Sequence, residues 1–187
     1  MDKKRCAWCG SDPLYVEYHD AEWGVPVYDD TKLFEFLILE TFQAGLSWIT
    51  VLRKRENFRE AFDNFDYKKI AKYSDAKFNE LIQNVRIIRN KLKIKATISN
   101  AQAFMEIQNE FGSFSNYIWE FTDNKSLKNK WNSLDEIPAT TALSDIISKD
   151  LKARGFKFVG STVIYAHMQS TGMVNDHLIE CFRYNEV

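Results

Sequence analysis

Hydrophobic residues recur every three or four positions along most of the chain, and this spacing predicts α-helices. The predicted helices cover about residues 31–42, 47–62, 74–85, 92–111, 141–154 and 161–171, with a last short one beginning near Asn175. Polar residues suited to capping stand before the first three, namely Asp29 to Thr31, Ser47 and Ser74. Glycines follow three of the others, at positions 112, 155 and 172, where helices often end.

Signals for β-structure are weak by comparison. No segment alternates between polar and apolar residues over a strand length, and there is no Asn-Gly or Asp-Gly pair. Residues 124–140 are polar and aperiodic, so we predict a loop there. No repeat or linker divides the chain, which predicts one all-α domain over residues 1–187.

The composition is that of an ordinary globular protein with a surplus of aromatic residues. Of 187 residues, 45% are hydrophobic and 14% are aromatic, with 14 Phe, 8 Tyr and 5 Trp. Most of these aromatic residues must form the core, but a surplus of Trp and Tyr also suits stacking on flat bases.

The charge balance gives no sign of a nucleic-acid partner. The net charge is −1, so any DNA-binding surface must be a local patch. The N-terminal residues 1–6 (MDKKRC) do not resemble a signal peptide, and the longest apolar run, Leu37 to Leu39, is too short to span a membrane. We therefore expect a cytoplasmic protein with no membrane contact and with cysteines that are not disulfide-bonded.

The cysteines and histidines predict a metal site. His177 and Cys181 are four residues apart, which places them on one face of the helix predicted near Asn175. Cys6 and His19, near the other end of the chain, complete a Cys2His2 set of the kind that binds tetrahedral zinc. Four protein ligands leave no open position, so the expected role of the zinc is structural.

Cys9 offers an alternative to this assignment. Cys6 and Cys9 form a C-x-x-C pair, which occurs both in other zinc sites and in redox proteins. The redox interpretation requires a βαβ context that the sequence lacks. Spacing alone leaves open whether Cys9 or His19 is the ligand. His167 has no partner at ligand spacing and is interpreted as an ordinary core or surface residue.

Two further segments are unusual for plain core. Residues 15–24 (YVEYHDAEWG) are dense in aromatic and acidic residues and lack helical periodicity. Glu40 lies within an apolar helix face, about two turns before Trp48. An acid in such a position is usually at a solvated helix edge, but these residues could also form an apolar slot that ends in a carboxylate.

Several long motifs resemble those of the DNA-3-methyladenine glycosylase I family, within the helix-hairpin-helix glycosylase superfamily. They are residues 6–8 (CAW), 12–15 (DPLY), 18–20 (YHD), 22–26 (EWGVP), 43–52 (QAGLSWITVL), 154–160 (RGFKFVG) and 174–177 (VNDH). The resemblance follows almost the whole chain in order. It implies a helix-hairpin-helix core over about residues 31–125 and a zinc-clasped lobe formed by residues 1–30 and 126–187.

The resemblance also implies specific residues and an activity. The zinc ligands would be Cys6, His19, His177 and Cys181, leaving Cys9 as the spare cysteine. The base-binding residues would be Glu40, Tyr18, Trp48, Trp8 and Trp23, with Glu40 as the catalytic residue. The implied activity is base excision repair: the enzyme flips 3-methyladenine out of alkylated double-stranded DNA and hydrolyses its N-glycosidic bond.

The chemistry of the lesion agrees with these residues. 3-Methyladenine is cationic while attached to the sugar, so Trp48 can stack on it with a cation–π contribution and Glu40 can oppose its charge. The family lacks the aspartate that related glycosylases place near the sugar. We expect water as the nucleophile and Glu40 to act electrostatically. No lysine stands out for Schiff-base chemistry, so we expect no lyase activity.

Three other interpretations stay open at this level. The chain could be a zinc-stabilised module that binds a modified base without cutting. It could be a glycosylase for another lesion, such as 7-methylguanine, although a carboxylate would repel the guanine O6. In a purely structural interpretation the aromatic residues are core and the zinc only holds the chain ends, but this leaves Glu40 unexplained.

Residues 86–95 (RIIRNKLKIK) are the strongest candidate for DNA contact, with five basic residues and no acid. Such a run is more often a solvated helix face, but the family's hairpin is expected here, and Arg86, Arg89 and Lys91 are its candidate contacts. Residues 84–95 contain no glycine, which is unusual for a tight phosphate-binding turn. Gly45 and Leu46 are expected at the pocket mouth, where an apolar side chain can fill the gap left by a flipped base.

A second basic patch offers further contacts, with Lys149, Lys152, Arg154 and Lys157 as its members. Each strong apolar stripe has helical partners within the chain, so we expect a monomer.

Overall fold

A computed structural model describes residues 3–43 and 45–187. Met1, Asp2 and Ala44 lie outside these ranges, and with them the start of the N-terminal segment and one position of the 43–52 motif. The α-helices are α1 (Pro13–Ala21), α2 (Asp30–Gln43), α3 (Trp48–Leu52), α4 (Arg55–Ala61), α5 (Tyr67–Ile70), α6 (Asp75–Gln83), α7 (Lys91–Phe111), α8 (Phe114–Glu120), α9 (Ala142–Ala153) and α10 (Ser161–Ser170). Two-residue strands, β1 (Leu127–Lys128) and β2 (Val174–Asn175), pair in parallel.

Helix α2 is the centre of the fold. Every residue from Leu33 to Phe42 is buried, and α2 packs against α3, α7, α8 and α10. Burial of apolar surface contributes about 25 cal/mol for each Å², so the apolar side chains of α2 stabilise the fold. The prediction of an all-α protein is confirmed apart from the short β1–β2 pair.

Most predicted helix boundaries are confirmed by their caps. Ser74 accepts a hydrogen bond from Lys77 N at 3.3 Å, and α7 ends at Gly112 in the left-handed conformation (φ 83°). Helix α10 ends before Gly172 (φ 70°), where a Cβ would lie 2.4 Å from Pro26 N. Only glycine fits this position because the segment after Trp23 packs directly on it.

The predicted helix over residues 47–62 is wrong as a single element. The chain turns at Arg53 and Lys54, so that α3 and α4 face different neighbours. Trp48 at the start of α3 lies against Tyr18 (ring centroids 5.6 Å apart), whereas Phe58 on α4 packs on Phe42 (4.9 Å). A straight helix would not satisfy both contacts. Ser47 does occupy the N-cap position of α3, but its hydroxyl pairs with the Thr50 hydroxyl.

Two other expectations at the helix ends were wrong. Val85 lies beyond the end of α6 and is 70% exposed, so it does not share the buried face of that helix. No helix begins near Asn175 in the described chain, because β2 and a loop take its place. The Asn175 side chain holds this loop by donating to the carbonyl groups of Tyr184 and Val187 and accepting from His177 N.

Helix α1 lies in the segment judged to lack helical periodicity. Only Tyr18 and His19 of this helix are buried, so it has little apolar pattern. The sequence signal for this helix is at its N-terminus. Asp12 accepts a hydrogen bond from Leu14 N at 3.0 Å, and Pro13 occupies the first helical position.

None of the helices in the described ranges is long and apolar enough to cross a membrane.

Candidate active site and metal centre

A cavity of about 200 Å³ opens between α1, α2, α3 and α10. Its lining is mostly aromatic, with one carboxylate and two amides: Trp8, Tyr15, Tyr18, Trp23, Glu40, Gln43, Trp48, Ile137, Ala166 and Gln169. All five residues predicted to bind the base are in this set. Pockets for drug-sized ligands measure about 300–1,000 Å³, so this one suits a single flat heterocycle.

The aromatic walls come from separate elements that converge. Tyr18 projects from α1 and Trp48 from the first turn of α3, with their ring centroids 5.6 Å apart. Trp8 and Trp23 stand before and after α1, with centroids 4.9 Å apart and nearly perpendicular planes. Fixed aromatic faces of this kind favour a planar ligand.

Glu40 provides the carboxylate of the cavity. It is only 4% exposed, and this burial raises the pKa of its carboxyl to about 8, although the nearby Ser170 hydroxyl acts in the opposite direction. Burial disfavours the charged form because the interior solvates it poorly. Near neutral pH the free pocket therefore holds a largely protonated carboxyl, which a cationic ligand would convert to the carboxylate.

Trp48 brings a polar group as well as a ring. Its Nε1 is buried and has no hydrogen-bond partner among the described residues. A buried unpaired N–H is unfavourable by about 1–3 kcal/mol. A ligand with an acceptor nitrogen, or a water molecule, would satisfy it.

Sequence reasoning missed five residues of the lining: Tyr15, Gln43, Ile137, Ala166 and Gln169. Two of them had a usable signal, because Tyr15 and Gln43 are each three residues from a predicted site residue on the same helix and so share its face. Ala166 and Gln169 lie on α10 and Ile137 lies in the loop before α9, and only the tertiary fold brings these distant residues to the cavity.

A second groove of about 330 Å³ adjoins this cavity and shares Glu40, Gln43 and Ala166 with it. Gly45 and Leu46 line it on one side, and α10 lines the other side with Thr162, Val163 and Ala166. Gly45 has a left-handed backbone (φ 83°), and Leu46 is 42% exposed. The structure therefore places the two predicted mouth residues beside the entrance of the cavity.

The four predicted metal ligands meet on the other side of Trp8 and Trp23. Cys6, His19, His177 and Cys181 are all buried, and their ligand atoms lie within 4.8 Å of one another. The measured Sγ to N distances are 3.5 to 3.7 Å. Tetrahedral zinc with ordinary bond lengths would place S and N ligand atoms about 3.6 Å apart, so the residues fit this metal.

Hydrogen bonds orient both histidine rings toward the centre of this cluster. His19 Nδ1 lies 2.8 Å from Asp20 Oδ1, and His177 Nε2 lies 3.0 Å from the Trp23 carbonyl oxygen. In each ring the other nitrogen faces the cysteines. Such outer partners are typical of metal-binding histidines because they fix the tautomer.

The expectation that His177 and Cys181 share a helix face was wrong, although their ligand atoms do meet. They stand in a loop, and Cys181 N donates to the Leu178 carbonyl within it. Cys9 is outside the cluster, with its thiol directed at the Cys6 carbonyl (3.2 Å). His167 is a core residue, hydrogen-bonded to the Leu33 carbonyl at 3.1 Å, and burial lowers its pKa to about 4.

The basic residues predicted to bind DNA lie on the turn between α6 and α7 and at the first position of α7. Arg86, Arg89 and Lys91 are exposed, and Arg86 forms an ion pair with Glu60 at 2.5 Å. Lys93 of the same run is buried, and its Nζ lies 3.4 Å from the Phe42 carbonyl oxygen at the end of α2. It therefore holds α2 in place and is not available to a phosphate.

The chain is similar to known proteins along almost its whole length. Residues 8–184 match the model of the methyladenine glycosylase family. The chain is 48% identical to DNA-3-methyladenine glycosylase 1 of Escherichia coli over 181 residues, 97% of either chain. It is also 48% identical to DNA-3-methyladenine glycosylase of Haemophilus influenzae over 177 residues, covering 95% of this chain and 96% of that one.

Solved structures show the same similarity. A crystal structure of 3-methyladenine DNA glycosylase I superposes with a TM-score of 0.93 at 50% identity, covering 96% of this chain and 98% of the other. A Staphylococcus aureus 3-methyladenine DNA glycosylase I, described with the structural basis of its 3-methyladenine recognition, gives a TM-score of 0.92 at 34% identity over 95% of both chains.

The fold and the aromatic cavity with its buried carboxylate define a DNA glycosylase, a hydrolase of N-glycosidic bonds. Within that class, the chain belongs to the methyladenine glycosylase family.

Proposed function

We propose that this chain excises 3-methyladenine from alkylated double-stranded DNA by hydrolysing its N-glycosidic bond, the first step of base excision repair. The observation that carries this proposal is the position of Glu40, a buried carboxyl in a cavity otherwise walled mainly by aromatic rings. Burial makes the charged form of this carboxyl unfavourable, so an ionisable group at this position does not serve the stability of the fold.

The charge of the lesion explains how such a pocket selects it. 3-Methyladenine attached to deoxyribose is a cation, so it favours ionisation of Glu40 on entry and pairs with the resulting carboxylate. Ordinary adenine is neutral, so it does not favour ionisation of Glu40 and gains no such charge pairing. Stacking between Trp48 and the cationic ring adds about 1–2 kcal/mol in a desolvated site.

The exocyclic groups of the base favour adenine over guanine. A carboxylate accepts hydrogen bonds from the adenine amine but repels the O6 of 7-methylguanine. The alkylated base is also a good leaving group, so water can serve as the nucleophile without a strong general acid. Glu40 then acts by holding the base and by opposing the positive charge that moves to the sugar.

We infer a glycosylase without lyase activity. Lyase chemistry needs a lysine amine at the sugar. Burial does lower the pKa of Lys93, but this residue is not part of the cavity lining and its amine faces the end of α2.

The turn between α9 and α10 is the better candidate for a phosphate-binding hairpin. It contains Gly155 and Gly160, and no side chain caps the first turn of α10. Free N–H groups at a helix N-terminus bind phosphate well. Since α10 also lines the groove with Gly45 and Leu46, this hairpin would hold the backbone beside the flipped nucleotide.

The basic turn between α6 and α7 then adds salt-dependent contacts. Arg89 and Lys91 have no carboxylate within 4 Å in the described ranges, whereas Arg154 of the second basic patch is engaged by Glu110 and Asp150. Among the predicted contacts, this leaves Arg89 and Lys91, together with Lys149, Lys152 and Lys157, without a carboxylate partner in the described part of the chain and available to phosphate.

Replacing Arg89 and Lys91 by alanine should weaken duplex binding and reduce its salt dependence. Each lost phosphate contact lowers the slope of log K against log salt by about 1. Fluorescence anisotropy with duplex DNA between 50 and 200 mM salt measures this slope. Lys77→Ala is the control, because Lys77 already pairs with Glu80 at 2.7 Å. An unchanged slope in the double variant would remove these residues from the DNA interface.

We also propose that the Cys2His2 cluster holds a structural zinc ion. The S to N distances, the oriented histidine rings and the four protein ligands all support this. Zinc would join the N-terminal segment to the C-terminal loop. The division into a core over 31–125 and a lobe of 1–30 and 126–187, and the monomeric state, likewise remain our proposals. The hairpin between α9 and α10 then belongs to the lobe and not to the core.

The proposed reaction is tested by incubating the purified protein with DNA treated with a simple methylating agent and separating the released bases by chromatography. We expect 3-methyladenine to be released in catalytic amounts and 7-methylguanine to stay in the DNA. Stoichiometric binding without release would instead support the non-cutting module, and release of 7-methylguanine would support the other lesion.

A further inference from the structure

Phe158, in the turn between α9 and α10, has an unusual combination of properties. Its backbone is left-handed (φ 59°), a conformation that is unfavourable for a bulky side chain and favours glycine. The residue is 43% exposed, so a large part of its apolar surface stays in contact with solvent in the free protein. The neighbouring Phe156 and Val159 are fully buried and anchor the turn.

The surrounding side chains hold this turn rigidly. The buried Asn100 accepts a hydrogen bond from Lys157 N at 2.8 Å and donates to the Lys157 carbonyl at 3.0 Å. Ser148 donates to the Val159 carbonyl at 2.7 Å. With both flanking residues fixed, Phe158 has little freedom to relax into an ordinary conformation.

The location of the turn connects it to the cavity. Thr162 and Val163, four and five residues after Phe158, line the groove opposite Gly45 and Leu46. Exposed Lys157 lies next to Phe158. An exposed aromatic ring beside a lysine, in the turn that leads into the groove-lining helix α10, suits a partner with apolar sugars and anionic phosphates.

We propose that Phe158 is an apolar DNA contact, whose ring packs against the deoxyribose groups of the strand that passes the cavity mouth. A strained residue with an exposed side chain persists where a function depends on it, and here the stabilising contact forms only in the complex. This inference rests on the proposed action on DNA and adds a residue that the basic patches and the mouth residues do not include.

The variant Phe158→Gly separates this role from a structural one. Glycine accepts the left-handed backbone, so the variant should unfold about 2–4 °C higher than the wild type. It should bind a duplex containing an abasic-site analogue roughly ten-fold more weakly, because the buried apolar contact is lost. Its affinity for free 3-methyladenine, followed by tryptophan fluorescence, should be unchanged.

The matched control is Asn124→Gly. Asn124 is also exposed and left-handed (φ 58°), but it lies in the turn after α8 and lines neither the cavity nor the groove. It should also raise the unfolding temperature while leaving duplex affinity at the wild-type value.

Three outcomes overturn the proposal: unchanged duplex affinity in Phe158→Gly, an equal loss of duplex affinity in Asn124→Gly, or a loss of free-base binding in Phe158→Gly. The last would mean that the ring supports the pocket. Failure of the wild-type protein to release 3-methyladenine would count against the proposed reaction, but the duplex measurements would still decide the role of Phe158.

Discussion

Replacing Glu40 by glutamine should lower kcat/KM for 3-methyladenine release by about 100-fold or more at pH 8. Glutamine keeps the shape and a hydrogen-bond acceptor but removes the charge that pairs with the cationic base, and charge-assisted hydrogen bonds in a desolvated site are the strong ones. Base release from methylated DNA measures the effect. Glu106→Gln, at an exposed position on α7, is the control and should retain wild-type activity.

The same variant should change the pH dependence of the reaction. Because the pKa of Glu40 is raised to about 8 by burial, the active carboxylate of the free wild-type enzyme appears only as the pH approaches 8. Wild-type kcat/KM should therefore rise between about pH 6 and pH 8. The glutamine variant should lack this rise, so the two proteins should differ least at low pH.

The stability of the wild-type protein should fall with rising pH, whereas its activity should rise. The folded protein keeps a proton on Glu40 up to about pH 8, whereas the unfolded chain releases it near pH 4.5. The stabilising effect of this raised pKa is complete below pH 4.5 and is lost as the pH rises through 8, by about 1.4 kcal/mol per pH unit at most. Glu40→Gln should therefore unfold at a higher temperature than wild type at pH 8, with a smaller difference at pH 5. Full excision activity in this variant would contradict the role of Glu40.

Replacing Cys181 by serine should abolish stoichiometric zinc binding and lower the unfolding temperature by about 10 °C or more. The binding free energy of a structural zinc is part of the folding free energy, and this cluster joins chain segments more than 150 residues apart. Metal analysis and thermal unfolding measure the two effects. Cys9→Ser is the matched control, since Cys9 is buried nearby but outside the cluster, and it should keep its zinc.

The loss of zinc should also impair excision in protein that is still folded. His177 Nε2 forms a hydrogen bond with the Trp23 carbonyl oxygen, and a Cβ on Gly24 would lie 3.1 Å from the His177 ring. The metal-ligand cluster therefore packs directly on the wall of the cavity. Trp8 follows Cys6 closely and lies 5.3 Å from the His19 ring. A folded, zinc-free variant with unaltered base binding would show that the cluster and the cavity are independent.

The local sequence was sufficient for much of the fold. Helices with a strong apolar period and clear caps, such as α7 from Lys91 to Gly112, follow from residues that contact one another within a few turns. The family motifs also indicated the residues of the cavity. Glu40 was noticeable in the sequence itself, because an acidic residue on an apolar helix face is unusual. Local sequence patterns did not predict helices that are short or have little apolar periodicity, such as α1.

The tertiary structure decided which residues far apart in the sequence contact one another. The sequence alone predicted the all-helical class, an acidic residue among aromatic ones, and a group of cysteines and histidines near the two chain ends. Only the family resemblance chose the four metal ligands and the roles of Glu40 and the tryptophans. Only the fold turned residues 47–62 into two helices, because Trp48 and Phe58 contact different partners. It also brought His177 and Cys181 together in a loop and buried Lys93 against α2. These outcomes depend on contacts between residues far apart in the chain, which local spacing does not encode.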